Sequence, residues 1–200
     1  MGRRSDHSRA ELEELILAEG HRLMAETGYV RFSAREVAKR IGYSIGTIYN
    51  VFGSLDRLLM AINSRTFLLW ARAIATRLAS AGPDRIAVLV DSYFAFATGN
   101  ANLWMAIYDH RFGPGESLPE RYVAERGALT SLVEREIAAV LPMANADLAA
   151  PLARSLVATV HGHCLFEVNG TFALLGEPDP RGAALARVRE ALAAAGAKQF

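Results

Sequence analysis

Three groups of residues bring polar chemistry together at regular spacing. The first is Ser44 to Asn50, SIGTIYN. Ser44 can cap a helix, and Thr47, Tyr49 and Asn50 then place a hydroxyl, a phenol and an amide on one short segment. Thr47 and Tyr49 suit phosphate oxygens, Asn50 suits a base edge, and Ile45 suits a thymine methyl. The alternative is an ordinary surface helix. The second group is His161, His163 and Cys164. His-x-His points two rings to opposed faces of a helix, a poor chelate. His161 and Cys164 do share a face, but a nucleophilic pair also needs an orienting group and an oxyanion site. A metal site needs further ligands. No catalytic residue, metal or cofactor is therefore assigned, and His161 is read as packing or as polarity in a pocket. The third group is Trp70, Tyr93, Phe96, Trp104, Met105, Tyr108, Phe112, His161 and Phe166. Pockets for small molecules are mostly apolar with a few polar groups, which this set matches; aromatics at helical spacing also build ordinary cores.

These groups need elements to hold them. Ser33 followed by Glu36 reads as a capping box that opens a short helix, with Val37, Ala38 and Ile41 as its apolar stripe. Gly42 ends it at low steric cost. A second short helix starts at Ser44 and returns Ile48 and Val51 or Phe52 to the interior. Ala38 is small where the two helices approach, and Ile48 fills the gap. That spacing resembles the helix-turn-helix of DNA-binding proteins. The positive end of the second helix dipole, at Ser44, could face a phosphate. Ser33 and Arg35, at the start of the first helix, are candidate backbone contacts. Lys39 and Arg40 are open between phosphate contact and a solvated face.

With those residues in view, the run YSIGTIYNVFGSLDRLL resembles the tetracycline-repressor-like (TetR) regulators of bacteria. Gly46, Thr47, Ile48, Tyr49, Phe52, Ser54 and Asp56 match the family pattern; Leu55 stands where the family usually has a phosphate-contacting Lys. The segment VHGHCLFEVNG around His161 resembles a subgroup whose C-terminal domain carries a His-Gly motif, without that subgroup's Trp. The resemblance implies an all-α fold: a helix-turn-helix domain over 8–60 and an effector-binding and dimerisation domain over 61–200. It implies a double-stranded DNA operator of near-palindromic sequence, a small-molecule effector in the larger domain, and a homodimer. It places the dimer seam on the last two long helices, with Leu152, Leu156, Val160, Ala184, Val188 and Ala191.

The composition agrees with this outline. Hydrophobic residues are 52% of the 200, enough for a core, and a net charge of +1 gives no bulk nucleic-acid signature. Residues 1–65 hold ten Lys/Arg against eight Asp/Glu, so any DNA-binding charge must be gathered on one face. One cysteine allows no internal disulfide and fits a cytoplasmic setting. No apolar run reaches membrane-spanning length and no signal peptide is visible. Arg3 and Arg4 could act as a minor-groove arm. Ser8 with Glu11 opens the first helix, and Ser117 with Pro119 and Glu120 opens a later one. About nine helices result, the fourth long enough to serve two bundles. Two other function classes stay open: a ligand-sensing module that no longer reads DNA, and a small helical enzyme using Cys164 and His161.

Overall fold

The computed structural model describes residues 7–111 and 120–197. Arg3, Arg4, Phe112 and the step from Ser117 to Pro119 lie outside the described residues. Ten α-helices, two 3-10 segments and no strand occur among the described residues. The helices are α1 (Arg9–Thr27), α2 (Ala34–Arg40), α3 (Ile45–Phe52), α4 (Leu55–Ala79), α5 (Arg85–Gly99), α6 (Ala101–Asp109), α7 (Glu120–Val140), α8 (Ala149–Val168), α9 (Thr171–Leu175) and α10 (Pro180–Ala194). The helix that carries His161 stops at Val168. Gly170 takes φ +77°, which breaks it, and the Asn169 side chain accepts the Thr171 N–H at 3.0 Å to start α9. No described helix is long and apolar enough to cross a membrane.

The chain forms two compact units. The first takes Met1–Thr66 and Asn102–Val123. Its core joins Ile16, Leu23 and Met24 of α1 to Val37 and Ala38 of α2, Ile48 of α3, Leu58 and Ile62 of α4, and Leu103 of α6. Gly20, costly in mid-helix by about 1 kcal/mol relative to Ala, sits where α1 meets α4: a Cβ there would lie 2.9 Å from Ile62 Cδ1. The α6 backbone is tied in by Asn63, whose amide donates to Ala106 O at 3.3 Å, while Asn102 donates to Ala25 O at 2.8 Å. His21 shares a hydrogen bond of 3.2 Å with the Thr66 hydroxyl. Burial, helped by the nearby Arg65 charge, pulls its pKa down to about 4.

The second unit takes Phe67–Ala101 and Ala124–Phe200. Here α8 packs most extensively on α10 and then on α5. Ala153, Leu156, Val160 and Cys164 of α8 are buried, as are Ala184, Val188 and Leu192 of α10. Asp84 caps α5 by accepting the Ala87 N–H at 2.9 Å, and its other carboxylate oxygen pairs with Arg189 of α10. Arg181 adds a second tie from α10 to α5 through Asp91 at 3.4 Å.

Candidate nucleic-acid interface

The helix-turn-helix is built from local rules. Ser33 accepts the Glu36 N–H at 3.3 Å and opens α2. The Glu36 carboxylate does not complete the expected box. Arg40, one turn on, takes it at 3.1 Å, a charge-assisted bond stronger than a neutral amide one. The exit from α2 is a Schellman motif: Gly42 at φ +75° donates to Lys39 O, and Tyr43 N–H reaches Ala38 O at 2.9 Å. Ser44 then accepts the Thr47 N–H at 3.2 Å, with the two hydroxyls 3.0 Å apart. Gly53, at φ +83°, ends α3 by donating to Tyr49 O at 2.7 Å.

This frame sorts the side chains of α3. Ile48 and Phe52 are buried in the core, and Ile45 packs partly against it. Tyr49, at 43% exposure, and Asn50 face out, and Thr47 is half-buried beside Ser44. Ser33, Arg35 and Ser44 are also exposed. Both halves of the helix-turn-helix therefore present hydroxyls and outward polar groups on a rigid base, as phosphate and base-edge contact require.

The structure divides the cations of this unit. Arg40 is held by Glu26 at 2.7 Å, Glu19 at 3.3 Å and Glu36, and Arg22 by Glu19 and Glu26, both at 2.7 Å. These bonds raise the Arg40 pKa and, chiefly through the Arg40 hydrogen bond, lower that of Glu26. Arg40 is thus a clamp from α2 to α1. Sequence reasoning left it open because its partners lie 14 and 21 residues away. Nothing in its own sequence neighbourhood marks Arg57, whose guanidinium lies beside Gly53.

In the second unit, Trp70, Tyr93, Phe96 and His161 come together. The Trp70 ring stacks on Phe96 at 5.0 Å and meets the edge of Tyr93 at 4.7 Å. The Tyr93 hydroxyl is 3.0 Å from His161 Nδ1, and burial lowers the His161 pKa. Trp70 is fully buried, yet its Nε1–H has no hydrogen-bond partner among the described residues. A buried orphan donor of this kind calls for a reason. Phe166 is elsewhere: it is 41% exposed and meets Phe172 edge-on at 5.5 Å. Trp104, Met105 and Tyr108 are in the first unit, where Trp104 is fully buried against Tyr108. Cys164 is buried, and desolvation, with Glu167 adding its charge, pushes the thiol up to about 12, far from a reactive thiolate. No group of three or more His, Cys, Asp or Glu that could hold a metal occurs among the described residues.

Of the residues read as a dimer seam, Leu156, Val160, Ala184 and Val188 are buried within the single chain, between α8 and α10. Leu152 and Ala191 are half-buried. Exposed apolar side chains nearby in sequence include Met143 at 96%, Leu148, Phe166, Leu174 at 89% and Leu175 at 67%.

Comparison with known proteins agrees with this geometry. Residues 16–62 match the model of bacterial regulatory proteins of the tetR family, and residues 86–192 match the tetracyclin repressor-like C-terminal domain. An uncharacterized HTH-type transcriptional regulator from Haemophilus influenzae is 27% identical over 105 residues, 52% of this chain. The match spans 51%, about half, of that relative's length. A protein of unknown function from Rhodococcus sp. RHA1 superposes with a TM-score of 0.74 at 21% identity, over 99% of this chain and all of its own. The transcriptional regulator FadR from Bacillus subtilis, solved in complex with stearoyl-CoA, gives 0.62 at 14% identity, over 90% of this chain and 96% of that one. With its C-terminal model spanning more than half of it, the chain belongs to the tetR family. The members of this family are bacterial regulatory proteins, and they are generally non-enzymatic.

Proposed function

We propose that this chain acts in the cytoplasm as a homodimeric repressor that binds a near-palindromic operator and responds to a small-molecule effector. The observation that carries the reading is α3, capped at Ser44 and anchored by buried Ile48, which leaves Tyr49 and Asn50 exposed; Asn50 would meet a base edge in a major groove, and Thr47, Tyr49, Ser33 and Arg35 would meet the phosphate backbone. Two such helices would read half-sites about one turn apart. In the second unit, the Trp70, Tyr93, Phe96 and His161 group is proposed to hold the effector. The orphan Trp70 N–H favours a ligand that offers a hydrogen-bond acceptor beside an apolar surface. The stearoyl-CoA complex of FadR supports a small-molecule effector in this fold. Exposed Phe166, Leu174 and Leu175 support a partner-facing surface on α8 and α9. Because α4 and α7 contribute residues to both units, they are the continuous elements through which effector binding would shift the DNA-competent population. We assign no catalytic role to His161 or the buried Cys164.

Selection of purified protein against a random duplex library tests this. The expected result is a near-palindrome whose binding falls with salt and with Tyr49→Ala. A folded protein that enriches no sequence would favour the second reading, a ligand-sensing module without DNA reading, to which Leu55 in place of the family's Lys points.

A further inference from the structure

We propose that Arg57 is a DNA phosphate anchor, holding the backbone beside the C-terminal end of the recognition helix; this rests on the DNA-binding reading above. The first unit has little net positive charge to attract a polyanion, so what matters is which cations are left uncommitted. Arg22, Arg40 and Arg65 are each engaged by carboxylates, Arg65 with Glu14 at 2.6 Å. Arg31 donates to Thr27 O at 3.2 Å, and Arg9 donates to Val51 O at 3.4 Å. The Arg57 side chain is exposed and makes no ion pair or hydrogen bond among the described residues.

Its position is fixed from the backbone outward. Ser54 accepts the Arg57 N–H at 3.2 Å and starts α4, so Arg57 stands in the first turn. The side chain folds back over the turn: a Cβ on Gly53 would lie 3.5 Å from Arg57 Nη1 and 3.8 Å from its Cδ. The guanidinium is therefore held against the residue that ends the recognition helix, one residue past Phe52. Arg57 could instead cap the carbonyls at the end of α3. That role would give it hydrogen bonds to those oxygens, and the bond found there, to Val51 O, comes from Arg9. Five planar donors with no protein acceptor, beside the segment that meets DNA, suit bidentate phosphate contact. They also supply the charge that Leu55, two residues earlier, lacks.

The test is the salt dependence of binding to the duplex enriched by selection and to a scrambled duplex of equal length. Each lost phosphate contact flattens the slope of log affinity against log salt by about 0.9. Arg57→Ala is expected to flatten it by about that amount per bound protomer. It should weaken both duplexes by the same factor and leave the melting temperature unchanged. Arg57→Lys should restore the slope, and Arg22→Ala should not change it. An unchanged slope in Arg57→Ala overturns the proposal. So does a fall in melting temperature that accounts for the loss, or a loss confined to the enriched duplex. Failure of the wild-type protein to bind either duplex would overturn the DNA reading itself.

Discussion

In the first unit α1, α2 and α3 each begin on a serine, Ser8, Ser33 or Ser44, whose hydroxyl accepts a backbone N–H from the third residue on. In the second unit the long helix α8 begins at Leu148 with no side-chain cap and is placed by packing against α10 and α5. The contrast separates two ways of specifying a helix. Local caps set where α2 and α3 start, which a surface that must match a groove requires. Burial sets where α8 lies.

The contrast can be broken most sharply at the cores. Ile48→Ala, at a fully buried position in α3, should cost about 2–5 kcal/mol and abolish DNA binding. Leu192→Ala, equally buried in α10, should cost a similar amount. Unfolding followed by hydrogen exchange should show each loss concentrated in its own unit; the same pattern for both would collapse the distinction. Acid probes the first unit next. His21 is held neutral when folded, to about 4, and its unfolded pKa is near 6.5. Between those values the unfolded chain binds the extra proton, so stability falls as pH drops from about 6.5 to about 4. The loss levels off below that. Urea titrations across that range, compared with His21→Gln, check both the sign and the window. Tyr49→Ala should lower DNA affinity about tenfold, about 1.4 kcal/mol, without moving the melting temperature; a lower melting temperature would mean that Tyr49 is structural. Ser33→Ala should cost about 1 kcal/mol through loss of the cap, visible as a lower urea midpoint. The smallest effect is expected from Tyr93→Phe, which removes the bond to His161 at about 1 kcal/mol and raises exchange rates in the second unit alone.

What was legible in the sequence follows the same division. The start of α3 at Ser44, the turn at Gly42 and the interior role of Ile48 depend on neighbours within six residues, and the pattern shows them directly. The role of Arg40 depends on Glu19 and Glu26 one helix away, and nothing in its own neighbourhood signals it. The placing of α6 in the first unit rests on contacts such as Asn102 to Ala25, 77 residues apart. In the second unit, small residues on α8 and α10 mark a close helix pairing. Whether that pairing is within a chain or between chains is decided by three-dimensional burial, which a helical period cannot convey. The aromatic set has the same difficulty: the spacing of Trp70 and Trp104 is compatible with one lining, and the fold assigns them to different units.

That last assignment makes the protein its own optical instrument. The chain has two tryptophans, both fully buried, Trp104 in the first unit and Trp70 in the second. A protein carrying Trp104→Phe would fluoresce from Trp70, stacked on Phe96; one carrying Trp70→Phe would fluoresce from Trp104. Stopped-flow traces from the two could be followed separately as duplex or small molecule is added. The order in which the emissions change would time the signal between the units without any attached dye.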